Sequence, residues 1–229
     1  MSRIYNILCD ANFYSLLCLA LPCLIYQIII IKRMDLEERK YLVPHLIWVY
    51  IFLMYIYLAL NVAGIGTIWD IGQHSGFIRI NEINLIPFRS DGIITYILNI
   101  IMFMPLGFLL PFIWEDFRNL VKVLYTGFLF SLAIEISQLF NNRATDIDDL
   151  IMNTLGAILG YFVYVGVSNL LHSINKKTVS VSKDEDTIQS ENADHTNKKT
   201  IYLSKNEAIT YLILAILGEF FLYNWNLIA

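Results

Sequence analysis

Between residues 135 and 153 this chain places Glu135, Gln138, Arg143, Asp146, Asp148, Asp149 and Asn153 in runs that otherwise read as lipid-soluble helix. An ionised side chain at the centre of a membrane helix costs about 2.5–3.5 kcal/mol on insertion scales. Such groups therefore face a bundle interior or a wet cavity and mark a functional site. Paired carboxylates beside Arg89 or Arg143 could bind a metal together with a phosphate or sugar headgroup at the interface. The same residues could also form an ion-paired helix hairpin with no chemistry.

Spacing puts these groups on two faces. In a helix beginning near Thr145, the residues Asp146, Asp149, Asn153, Gly156 and Gly160 fall within an arc of about 80°. The polar members lie at the outer end and the glycines lie deeper. Gly156 and Gly160 form a small-x-x-x-small pair that lets another helix approach closely. Thr145 or Asp146 could cap this helix, and all three aspartates suit its positive end. Asp148 points away from the polar face, and plain capping weighs more for it than for Asp149 or Asn153. On the preceding span Ser131, Glu135, Gln138 and Asn142 share an arc of about 60°, with Glu135 roughly 8 Å below the outer end. A carboxylate there needs a partner, and Arg143 and Arg89 are the cationic candidates. A third span contributes Asn99, with Pro105 and Gly107 in its middle, and the proline should kink or break it. Asn84-Leu-Ile-Pro-Phe88 lies just upstream.

The elements that must position these residues are membrane helices. The chain has 229 residues, of which 57% are hydrophobic and 16% charged, and its mean hydropathy is +0.56. Apolar runs of spanning length occur at about 11–31, 42–63, 93–113, 121–140, 150–171 and 207–228. The fold class expected is an all-α membrane protein, a polytopic bundle with about six transmembrane helices. Its parts are two N-terminal spans (1–64), an outer interfacial or re-entrant loop (65–92), three central spans, a flexible linker (172–206) and a C-terminal span. The linker isolates the last span from the other five. Lysine and arginine set the orientation. Twelve of them fall in the loops at 32–41, 114–122 and 172–206, against Arg3, Arg79, Arg89 and Arg143 on the alternate side. The first set is expected in the cytoplasm, which places both termini outside.

Other chemistries find little support. Cys9, Cys18 and Cys23 form no C-x-x-C pair, and His45, His74, His172 and His195 are scattered. No metal site is assigned; the carboxylates alone could serve one, favouring a hard ion such as magnesium or calcium. No phosphate loop, nucleophile elbow or H-E-x-x-H motif occurs, nothing points to nucleic acid, and no cofactor is identified. Glu219, near the middle of the last run, could join the polar cluster or pair locally.

Asn84-Leu-Ile-Pro-Phe88, Asn99 with Phe103-Met-Pro-Leu-Gly107, Glu135-x-x-Gln138, and Arg143-x-x-Asp146-x-x-Asp149-x-x-x-Asn153-x-x-Gly156-x-x-x-Gly160-Tyr161 together resemble the VanZ-like family over roughly residues 80–165. The resemblance implies a bacterial multi-pass protein of the cytoplasmic membrane linked to teicoplanin resistance at the cell envelope. Its molecular mechanism is not implied. The expected partners are membrane lipids, with a wall precursor, a lipid-linked group or the glycopeptide as candidate ligands of an outward polar pocket. Two alternatives stand beside this binder: a membrane enzyme acting on a lipid-linked or phosphate/sugar headgroup through the carboxylates, and a transporter built on the proline-interrupted third span and Glu219.

Overall fold

The computed structural model describes residues 13–34, 39, 42–71, 83–84, 86–88, 92–141, 145–183, 204 and 206–224. Six helices account for most of them: α1 (Phe13–Arg33), α2 (Leu42–Ala63), α3 (Ile93–Ile113), α4 (Leu120–Gln138), α5 (Ile147–Lys183) and α6 (Glu207–Leu222). Five of these, α1 to α5, are long and apolar enough to cross a membrane. Their large apolar side chains are distributed accordingly. Leu21, Ile25 and Ile28 on α1 and Phe162, Val163 and Leu170 on α5 face outward, an arrangement that water would penalise and lipid accepts. A helix is the natural conformer for such runs because it satisfies its own backbone polar groups.

The ends of the helices follow local chemistry. α2 stops at Gly64, whose φ of 68° is left-handed. The N–H groups of Gly64 and Ile65 both return to the Leu60 carbonyl, at 2.9 and 3.3 Å, the closing pattern that glycine permits without a Cβ penalty. α4 starts at Asn119, whose side chain accepts the Val121 N–H at 2.8 Å.

Three expectations are corrected. α3 runs unbroken through Pro105 and Pro111; Pro105 removes the helix partner of the Ile101 carbonyl, and in the same turn the Tyr55 hydroxyl donates to the neighbouring Met102 carbonyl at 3.0 Å. α6 has 16 residues, about 24 Å at 1.5 Å per residue, and completes the expected six helices, five of them of full spanning length. That last helix is separated in sequence only. The Cys18 carbonyl of α1 lies 2.4 Å from where a Cβ on Gly218 would sit, and Glu207 meets His45 Nε2 at 2.9 Å and accepts the Trp114 Nε1–H at 3.1 Å. Helix α5 continues to Lys183, into the segment read as a linker; residues 184–203, like 1–12 and 225–229, lie outside the described residues.

The tightest packing joins α3 to α5. A Cβ on Gly107 would fall 1.8 Å from the Ala157 carbonyl oxygen, one on Gly156 2.3 Å from that of Ile100, and one on Gly160 2.0 Å from that of Met104. Glycines on both helices therefore let backbone meet backbone, with dispersion and close packing as the driving terms. This contact sets the height of the polar end of α5 against α3. Phe103, Leu106, Leu110, Phe130, Ile134 and Ala157 form the apolar core beneath it.

Candidate functional site

The polar side chains gather at one end of the bundle, where α2 and α4 finish and α3 and α5 begin. A feature absent from the helical expectation organises it: a two-residue parallel ladder pairs Ile83 with Thr145 and Asn84 with Asp146. It ties the loop between α2 and α3 to the first turn of α5. The Asn84 amide donates to both carboxylate oxygens of Asp146, at 3.3 and 3.1 Å. Its own carbonyl oxygen accepts the Ile86 N–H at 3.2 Å, a local Asx-type closure.

Asp146 then has two further roles. Its carboxylate accepts the Asp148 N–H at 3.0 Å, so it caps α5. Its own N–H donates to Glu135 Oε2 at 3.1 Å, so the buried Glu135 of α4 holds the start of α5 through the backbone. Deeper, Asn153 donates to the Ser131 hydroxyl at 3.0 Å. Asn99 of α3 donates to Asp149 Oδ1. Gln138 donates to the Ala63 carbonyl at 2.8 Å, and Ser137 accepts the Gly66 N–H at 3.2 Å; both fasten the end of α4 to the end of α2.

Asp148 is the residue whose role the sequence hid. It is fully buried, and it accepts the Phe88 N–H at 2.8 and 2.9 Å and the Tyr96 hydroxyl at 2.9 Å. Tyr96 and Asn99, one turn apart on α3, thus hold the consecutive carboxylates Asp148 and Asp149. Phe88 sits at φ 62°, a left-handed conformation that costs a bulky residue about 1–2 kcal/mol. Its N–H is held by Asp148 and its ring contacts Tyr96 edge-to-face at 6.1 Å. The Pro87 ring leads directly into this strained position. The signal in the sequence was the run of three acids in 146–149, which exceeds what capping one helix requires.

Of the site residues read from sequence, Asn99, Glu135, Gln138, Asp149 and Asn153 line one cavity of about 60 Å³, walled on its apolar side by Val62, Ala63, Met102 and Ile134. Asn84 and Asp146 lie beside it through the bonds above. Gly107, Gly156 and Gly160 lie on the α3–α5 contact, and Pro105 lies within α3. Arg89 and Arg143 lie outside the described residues. Glu219 is elsewhere: it accepts the Ser15 hydroxyl at 2.7 Å and does not join the cluster.

The cavity is rich in acceptors. Glu135 and Asp149 bring carboxylates to it, and Gln138 Oε1 and Asn153 Oδ1 are buried with no hydrogen-bond partner among the described residues. Such oxygens call for donors, from water, a ligand or a cationic side chain. Sixty cubic ångströms of cavity admits a few waters or one small polar group. Among the described residues no three His, Cys, Asp or Glu side chains converge closely enough to hold a metal ion.

The family profile described as VanZ/LLP1 matches residues 46–171, more than half of the chain and every one of the hydrogen-bonded pairs in this site. Among curated proteins, Protein VanZ of Enterococcus faecium is 40% identical over 90 residues, covering 38% of this chain and 55% of that protein. The chain therefore spans about half the length of the curated relative it matches. No solved structure matches. With the profile covering α2 to α5 and the buried acid–amide cluster between them, the chain belongs to the VanZ/LLP1 family.

Proposed function

We propose that this protein acts at the outer face of a bacterial cytoplasmic membrane and lowers susceptibility to teicoplanin, with the acid–amide pocket as its point of engagement. The observation that supports it most is the burial of Glu135, Asp146 and Asp148 inside the segment matched to the family. Several carboxylates in one buried site are tolerated only against cations or strong donors. Arg89, which follows the Asp148-bound Phe88, and Arg143, two residues before the ladder, are the counter-charges the chain itself can supply. Pocket and arginines together would present alternating charge to a wall precursor, a lipid-linked group or the antibiotic. The cavity's size means that it grips one polar group, while the 83–88 loop and the headgroup region meet the rest. Teicoplanin carries a lipid chain and so concentrates at the depth of this loop.

The test is expression of the full chain in a susceptible Gram-positive host. Inhibitory concentrations should rise several-fold more for teicoplanin than for vancomycin. Equal shifts for both drugs, or none with the protein inserted, would refute the reading.

A further inference from the structure

The bundle contains a second buried carboxylate site, outside the segment matched to the family on the α1 and α6 sides. Glu219 of α6 is 2% exposed. Among the described residues Ser15 Oγ is its one hydrogen-bond donor, at 2.7 Å. Yet it borders a cavity of about 200 Å³, shared with Asn61, Gly64 and Tyr223. A buried carboxylate with one hydroxyl donor is under-satisfied, since it can accept several more bonds.

The walls define what would complete it. Asn61 commits one amide N–H to the Tyr57 carbonyl at 2.9 Å, and its amide oxygen remains an acceptor for a ligand. Tyr223 supplies an aromatic ring, which itself contacts the ring of Tyr14 at 5.7 Å. The Gly64 carbonyl accepts the Asn141 amide at 3.0 Å, which anchors the rim to the end of α4. Among the described residues no Lys or Arg lines the cavity. Acceptors, an aromatic ring and one negative charge are complementary to a cation that carries N–H donors. A bare hard metal ion would want six or more oxygen ligands at short range, and a site this roomy with two side-chain acceptors beyond Ser15 does not offer them. A phosphate is repelled by Glu219. The cavity lies where α1 begins and α2 and α6 finish, the same end of the bundle as the acid–amide site.

We propose that the cavity bounded by Ser15, Asn61, Glu219 and Tyr223 binds a primary ammonium group, delivered by a lipid headgroup or by a free amine. One ammonium N–H meets Glu219, a second meets the Asn61 oxygen, and the charge rests against Tyr223.

The full chain is placed in nanodiscs of equal phosphatidylethanolamine and phosphatidylglycerol, and the lipids retained on the released protein are counted by native mass spectrometry. The wild type is expected to retain phosphatidylethanolamine preferentially. Glu219→Gln, nearly isosteric, should reduce that preference about tenfold or more, as loss of one partner of a buried charge pair does. Tyr223→Leu should lower it less while leaving the carboxylate intact, and Lys122→Gln, at the opposite end of the bundle, should leave it unchanged. Free ethanolamine is the second arm: displacement of the lipid shows that the ammonium alone suffices, and retention shows that the acyl chains add to the same contact. Equal retention of both lipids by the wild type, or an unchanged preference in Glu219→Gln, overturns the proposal. If Glu219→Gln does not insert, an unchanged preference in Tyr223→Leu overturns it.

Discussion

Asp148→Ala removes the acceptor for two donors, the Phe88 N–H and the Tyr96 hydroxyl. Hydrogen bonds to a charged partner contribute about 1.5–3 kcal/mol each, so the gross loss is about 3–6 kcal/mol. Two effects offset part of it. Phe88 is 66% exposed, so water can take up its N–H and recover about 1 kcal/mol. Its left-handed backbone relaxes once released, returning another 1–2 kcal/mol or so. The net shift in the docking equilibrium of the 83–88 loop is then about 2 kcal/mol, close to a 30-fold change. Amide hydrogen exchange in nanodiscs reads this directly, because local opening sets the protection of the Phe88 amide. The expected result is a 30-fold or so loss of protection at Phe88, with the α3–α5 core amides unchanged. Asp148→Asn keeps one acceptor oxygen and should fall between. Unchanged protection at Phe88 in a well-folded Asp148→Ala protein would refute the view that this carboxylate holds the loop.

Gly107→Ala should lower thermal stability by about 1–3 kcal/mol or more, because its Cβ would fall 1.8 Å from a backbone oxygen of Ala157; Gly166→Ala, with nothing within 4 Å of its Cβ, should stay within about 1 kcal/mol of wild type. A thermal melt of the two variants side by side checks the glycine contact. With the native cysteines removed, a single cysteine at position 143 should react with an impermeant reagent in intact cells and one at position 190 should not, following the lysine–arginine asymmetry; the reverse pattern would invert the orientation.

The helices and their polar faces were legible because both are local. Apolar runs of spanning length admit one conformer in lipid, and a 100° step places Glu135 with Gln138, and Asp149 with Asn153, on single faces. The glycine pair at 156 and 160 likewise announced a close helix contact. What the sequence withheld is tertiary. Nothing in Ile83-Asn84 alone marks a strand partner, since Thr145 and Asp146 lie far along the chain. Asp148 lies off the polar face, so helix periodicity leaves it out of the cluster, yet the loop and Tyr96 approach from that other side. Pro105 suggested a break, but Tyr55 is positioned to support the same turn. Glu219 could be recognised as costly from sequence, while its partner Ser15 depends on how α1 and α6 meet.

The central claim is that the buried carboxylates of the α4–α5 hairpin carry function and are more than an internal brace. Glu135→Gln and Asp149→Asn, alone and together, remove negative charge with little change of shape. Each protein is first shown to insert and to melt near the wild-type temperature, since loss of a purely structural bond would show there. Teicoplanin inhibitory concentrations are then measured at matched expression. The account predicts that the inserted double variant returns the host to the susceptibility of cells lacking the protein. Full resistance from that inserted double variant would contradict it and leave the cluster a structural one.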